Sequence, residues 1–76
     1  MENNKPLSAL SVGEDGKISY LLCDGGIRRR LMDIGLIPGT NVVCVGKSPL
    51  GDPKAYMIRG KTVAIRNSDA RKIIIT

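Results

Sequence analysis

Cys23 and Cys44 are the side chains with the strongest capacity for metal chemistry in this sequence. Thiolates bind soft or borderline metal ions when they are grouped at short spacing, usually together with histidine. The two cysteines are far apart in the chain, which contains no histidine, and only Asp24 or Asp52 would add oxygen ligands. The pattern favours two free thiols that act as small hydrophobic core residues. Cys23 and Cys44 are therefore weak candidate metal ligands, and no cofactor is predicted.

The sequence lacks histidine, the side chain that enzymes most often use for acid–base catalysis. Without histidine the chain has no ordinary general base and no partner that would activate a nucleophile. The serines have no evident base beside them, and the seven carboxylates are scattered over turns and helix ends. We predict that the protein is not an enzyme.

Positive charge is the strongest feature that remains. Twelve Lys and Arg against seven Asp and Glu give a net charge of +5, which favours anionic partners. The densest part is Arg28, Arg29 and Arg30, whose guanidinium groups suit bidentate contacts with carboxylates or phosphates. Alternatively, the three arginines only form a solvated surface that keeps the protein soluble and bind no partner. Leu36 and Ile37 lie a few residues after the arginines, in a predicted turn. We expect one of these two apolar side chains to pack inward and the other to point outward.

Nucleic-acid binding is one function that the positive charge favours. Small basic β-barrel proteins often bind nucleic acids, and the isoelectric point of this chain is about 9.6. Single-stranded nucleic acids bind to aromatic side chains on which the bases stack. Tyr20 and Tyr56 are the only aromatic residues. We therefore expect no nucleic-acid partner.

One short helix is predicted over 26–34. Asp24 suits the N-cap, and Ile27, Leu31 and Ile34 recur at the spacing of one helical face. Gly35 then fits the left-handed residue that ends a helix, and a proline soon afterwards prevents its continuation.

Strand-like patterns surround this helix. Alternation over 17–23 predicts a central strand with apolar side chains on both faces. Further strands are predicted at 41–47, 55–58, 62–66 and 73–75, separated by turns rich in glycine and proline. About five short strands, with one helix between the first two, indicate a mainly β, SH3-like small barrel.

The domain is predicted to span 7–76, after a flexible N-terminal tail over 1–6. The longest apolar run, 42–45, is far below the roughly 20 residues that cross a bilayer. The N-terminus is polar and does not resemble a secretory signal. We therefore expect a cytoplasmic protein that meets a membrane only through a partner.

Two segments carry a family resemblance: RRLMDIGLIPGT, and GDPKAYMIRGKTVAIRNSDARKIII. Together they resemble the FeoA family (ferrous iron transport protein A). The resemblance implies an SH3-like barrel, similar to the C-terminal domain of iron-dependent repressors. It also implies an accessory role in bacterial ferrous iron uptake beside the FeoB transporter, a membrane protein with a cytoplasmic G-domain. Transition-metal binding follows from the family alone, since no ligand set can be placed on this chain.

The same resemblance places the partner contact on the helix and the turn that follows it. Most motif positions have structural roles, so only side chains that point outward are candidates. The predicted partner-binding residues are Arg28, Arg29, Met32, Leu36, Ile37, Arg59 and Lys61.

Overall fold

A computed structural model describes residues 4–76. These residues form six strands, two α-helices and one 3-10 turn at Leu7–Ala9. The strands are β1 (Lys5–Pro6), β2 (Asp15–Leu21), β3 (Asn41–Lys47), β4 (Lys54–Ile58), β5 (Lys61–Ile65) and β6 (Ile73–Ile75), and the helices are α1 (Gly25–Ile34) and α2 (Asn67–Ala70).

All strand pairs are antiparallel, and the order in the sheet is β1-β6-β2-β3-β4-β5. β2 joins the two halves, because its first residues pair with β3 and its later residues pair with β6. The predicted mainly β architecture is confirmed. The strand count is six rather than about five, so α1 lies between the second and third strands.

The additional strand corrects the predicted tail over 1–6. Lys5 and Pro6 form β1, which pairs with Ile75 and Ile74, and Leu7 directly after it is fully buried. Residues 1–3 of the predicted tail lie outside the described residues. Proline is compatible with this position because β1 ends the sheet that the described residues form, and there it pairs with β6 alone.

The predicted alternation along β2 is wrong after Ile18. A register shift lies between Ile18 and Tyr20, where β2 pairs with β6. An irregularity of this kind moves the following side chains to the opposite face of the sheet. Ile18, Leu21 and Cys23 are consequently buried together in the core, while Tyr20 is 43% exposed.

The side chain of Glu14 closes the turn that leads into β2. The Ser11 backbone N–H donates to Glu14 Oε1 at 2.7 Å. This bond, together with the charge of Lys5, lowers the pKa of Glu14. The turn then joins the sheet through Gly13 N–H and the Cys44 carbonyl, 2.7 Å apart.

Helix α1 begins one residue before its predicted start. Asp24 occupies the N-cap with extended backbone angles, but its side chain makes no capping hydrogen bond. Leu31 is buried on the predicted apolar face, Ile34 is partly buried and packs against the core, and Ile27 is 39% exposed. Packing against the sheet, rather than a capping side chain, therefore holds this helix.

The end of α1 is as predicted. Gly35 adopts φ 116°, and its N–H bonds to the carbonyls of Leu31 and Met32. The Leu36 N–H also bonds to the Leu31 carbonyl at 3.1 Å. These contacts satisfy carbonyls that the helix itself leaves free.

Replacing Gly35 with alanine is expected to lower the free energy of unfolding by about 1–2 kcal/mol, because an L-residue is strained in the left-handed region. The new Cβ would also lie 3.1 Å from Ile58 Cγ2. Urea denaturation measures the change. Gly26→Ala in the same helix is the control, since a Cβ there meets nothing within 4 Å. A Gly35→Ala protein as stable as Gly26→Ala would contradict this account of the helix end.

Candidate partner-binding surface

Three of the predicted partner-binding residues lie together on α1. Arg28, Arg29 and Met32 line a shallow surface depression of about 420 Å³ with Gly25 and Asp33. We call these five residues the α1 outer surface. Both guanidinium groups are exposed beside a partly buried thioether. This combination suits a partner that presents carboxylates next to an apolar side chain.

Arg59, in the β4–β5 turn, lies beside the end of α1. A Cβ built on Gly35 would be 3.4 Å from Arg59 Cδ, so the Arg59 side chain passes over the last turn of the helix. A positive charge is favourable there because the helix dipole is negative at its C-terminus. Arg59 and Lys61 are exposed, and Ile37 is 36% exposed.

Leu36 is the incorrect member of the predicted set. Its side chain is 0% exposed and belongs to the hydrophobic core, so it does not contribute to a binding surface. Of the pair after the helix, Leu36 packs inward and Ile37 outward, as the sequence predicts for one of each.

The two cysteines are buried and free, Cys23 at 8% exposure and Cys44 at 0%. Cys44 Sγ lies 3.8 Å from the Gly46 carbonyl oxygen. Asp52, considered above as an oxygen ligand, instead accepts the Asn67 backbone N–H at 2.9 Å. Between residues 4 and 76, no group of three or more His, Cys, Asp and Glu side chains is placed to hold a metal ion. Among these residues, the two thiols are therefore not accompanied by the grouped ligands that a transition-metal site uses.

Sequence reasoning missed a second groove, on the other side of α1. Arg30 lines this groove together with residues of β5 and Arg66, whereas its neighbours Arg28 and Arg29 line the α1 outer surface. Helical geometry contains this signal, since residues four apart share a face. Arg28 therefore groups with Met32, and Arg30 groups with Ile34. The strand that lies beside Arg30 depends on the tertiary fold.

Comparison with solved structures identifies the fold class. An NMR structure of a FeoA-like protein from Clostridium acetobutylicum matches with a TM-score of 0.90 and 30% identity, covering 100% of this chain and 88% of that one. Stenotrophomonas maltophilia FeoA, crystallised in complex with zinc and described as a procaryotic SH3 domain protein, matches with a TM-score of 0.82 and 25% identity, covering 93% and 88%. A manganese-dependent transcriptional repressor, 17% identical, shares the fold with a TM-score of 0.87 over 100% of this chain and 42% of the repressor. The chain is an SH3-like barrel.

The family follows from the sequence match. The FeoA domain model matches residues 5–76, so the chain belongs to the FeoA family. A curated relative from Porphyromonas gingivalis, the Fe(2+) transport protein A/Fe(2+) transporter FeoB fusion protein, is 34% identical over 67 residues, or 88% of this chain. The chain spans 8% of the length of that relative. Within the part of the chain that the structure describes, no helix is long and apolar enough to cross a membrane.

Proposed function

We propose that this protein is a cytoplasmic accessory protein of bacterial ferrous iron uptake that docks on the cytoplasmic region of a FeoB-type transporter and modulates it. The fusion protein from Porphyromonas gingivalis carries this proposal, because a FeoA protein and FeoB form one polypeptide there. Two domains joined in one chain meet at a high effective concentration. We infer that the separate protein meets the same partner through a surface contact.

The α1 outer surface supports such a contact. Two exposed arginines next to a partly buried methionine offer charge for orientation and an apolar centre for affinity. Arg59 and Lys61 extend the positive charge to the neighbouring turn. Attraction between exposed charges weakens with added salt, so the complex is expected to be salt-sensitive.

Modulation is proposed to occur without chemistry by this protein. The absence of enzymatic activity and of a resident metal stays a prediction, supported by the lack of histidine and by the burial of both thiols. Nucleic-acid binding has little structural support. Tyr56 is fully buried, which leaves Tyr20 as the one aromatic side chain exposed for stacking.

A chemical-shift titration of the labelled protein with the cytoplasmic region of a FeoB-type transporter tests the proposal. At low salt, the largest shifts are expected at Arg28, Arg29 and Met32. The double variant Arg28→Glu/Arg29→Glu is expected to bind at least about tenfold more weakly, because two favourable charge contacts become repulsive.

The matched control is Lys17→Glu/Lys72→Glu, which changes the net charge equally at two exposed positions outside the α1 outer surface. It should bind nearly as well as the unmodified protein. Equal losses in both variants would show only a general attraction between charges. No shift at low salt would contradict docking itself, and tighter binding of a random single-stranded oligonucleotide would favour nucleic-acid binding as the alternative function.

A further inference from the structure

Strand β5 leaves one edge of the sheet open. Within residues 4–76, β5 pairs with β4 alone and stands last in the strand order. An open edge presents unpaired N–H and C=O groups, to which another extended segment can bind as an additional strand. The edge is five residues long, at Lys61–Ile65.

The turn before β5 determines which backbone groups face outward. Arg59 and Gly60 have φ values of 52° and 81°, the positive values of a two-residue hairpin turn. Ile58 and Lys61 then form the hydrogen-bonded pair that closes the hairpin, and such pairs alternate along antiparallel strands. The backbone groups of Thr62 and Ala64 consequently face away from β4. We call these outward groups the β5 edge.

A groove lies beside the C-terminal end of this edge, between β5 and α1. Its volume is about 340 Å³, and Leu31, Ile34, Ala64 and Ile65 form its apolar part. We call it the β5–α1 groove. Its remaining lining residues are charged, so the groove is mixed in polarity. Strand-addition sites combine free backbone groups with neighbouring pockets that hold alternate side chains of the bound peptide.

The charges around the groove define the ligand that it favours. Arg30 lines it from α1 and Arg66 from the end of β5, with Asp69 as the acidic residue of the lining. Lys61 lies exposed at the opposite end of β5. Three cations around one short edge favour an acidic segment. They oppose pairing with the β5 edge of a second copy, which would place like charges against one another.

We propose that the β5 edge binds an extended acidic segment of a partner protein by strand addition, with carboxylates at Arg30 and Arg66 and alternate apolar side chains in the β5–α1 groove. The partner's identity as the transporter rests on the proposed function. The binding mode does not, because the edge, the groove and the cations are properties of this chain. This site is also separate from the α1 outer surface, since the two share no lining residue.

Amide hydrogen exchange with a synthetic probe tests the binding mode. The probe is a peptide of alternating glutamate and valine, added to the unmodified protein. Because the N–H groups of Thr62 and Ala64 face outward, saturating peptide should slow their exchange at least about tenfold, whereas the amides already paired with β4 should change less. Binding without protection of Thr62 and Ala64 would overturn the proposal.

Two altered peptides, tested with the unmodified protein, separate the contribution of the peptide backbone from that of its negative charge. Methylating the central amide nitrogens keeps every side chain but removes the donors of a strand, so protection should be lost. Replacing glutamate with lysine keeps the strand but reverses its charge, and binding should weaken at least about tenfold. Equal binding of the methylated peptide would contradict strand addition, and equal binding of the lysine peptide would contradict the acidic ligand.

Ala64→Pro blocks the edge on the protein side. Proline is compatible with an edge strand where its nitrogen faces solvent, and this substitution removes an outward donor without removing a bond to β4. The acidic peptide should bind at least about tenfold more weakly to Ala64→Pro than to the control Ala64→Ser, which keeps the N–H. Equal affinities in two folded variants would overturn the proposal. If Ala64→Pro does not fold, the methylated peptide decides the question.

The transporter fragment distinguishes this inference from the proposed function. If the fragment shifts Arg28 and Arg29 but leaves Thr62 and Ala64 unprotected, docking holds and strand addition to that partner is wrong. If the fragment does not bind while the acidic peptide protects both amides, the strand-addition site holds and the proposed partner is wrong.

Discussion

Replacing Leu36 with alanine is expected to lower the free energy of unfolding by about 2–5 kcal/mol, the range for large-to-small changes in a packed core. Leu36 is 0% exposed and belongs to the core cluster. Small domains are marginally stable, with totals that begin near 5 kcal/mol. The variant should therefore unfold at a much lower urea concentration than the unmodified protein, and at the upper end of this range it should be partly unfolded without urea, which amide dispersion in NMR spectra would show.

Ile37→Ala is the matched control for this prediction. The two residues are adjacent and similar in size, but Ile37 is 36% exposed, so its truncation should cost less than half as much. Similar losses in both variants would contradict the inward and outward assignment of the pair. A charged residue at position 36 would likewise report on folding, and the charge substitutions at Arg28 and Arg29 are the correct test of docking.

The helix and its end illustrate what local sequence determines. Gly35 and Pro38 limit α1 through backbone geometry alone, and that limit is as predicted. The choice between Leu36 and Ile37 depends on where the sheet lies relative to the helix. Both side chains are apolar and follow the same turn, so no local property distinguishes them.

Strands β1 and β2 show the opposite case. β1 is Lys5–Pro6, two residues that form a strand only because Ile74 and Ile75 lie beside them. The register shift after Ile18 has the same origin, since it arises where β2 meets β6. Pairings between the two ends of a chain are long-range contacts, and single-strand periodicity contains no information about them.

The two candidate surfaces also differ in whether local sequence or the tertiary fold determines them. The arginine run was recognisable in the sequence, and helical spacing groups Arg28 with Met32. The β5–α1 groove could not be predicted in this way, because it depends on β5 being the last strand of the sheet and lying next to Arg30. Residues on one helix can thus be predicted to act together, whereas a site between a helix and a strand edge appears only in the folded structure.

The second large effect concerns Tyr56 at high pH. This side chain is 0% exposed, and its hydroxyl lies 3.5 Å from the Leu7 carbonyl oxygen. Burial, together with the nearby Cys44 and Asp52, raises the pKa of Tyr56 to about 12 from 10.0. The neutral phenol is therefore favoured in the folded state. As pH rises through about 10, the unfolded chain loses this proton first, and the folded protein becomes less stable.

The expected loss is about 2–3 kcal/mol between about pH 9 and pH 12, with roughly half of it reached near pH 11. It should not occur below about pH 9, where both states keep the proton. Tyr56→Phe is the control, since it removes the ionisable group, and the long contact with Leu7 is worth little at neutral pH. The difference in unfolding free energy between the two proteins isolates Tyr56 from the lysines, which both proteins share. Parallel stability curves up to about pH 11 would mean that water reaches the Tyr56 hydroxyl in the folded barrel.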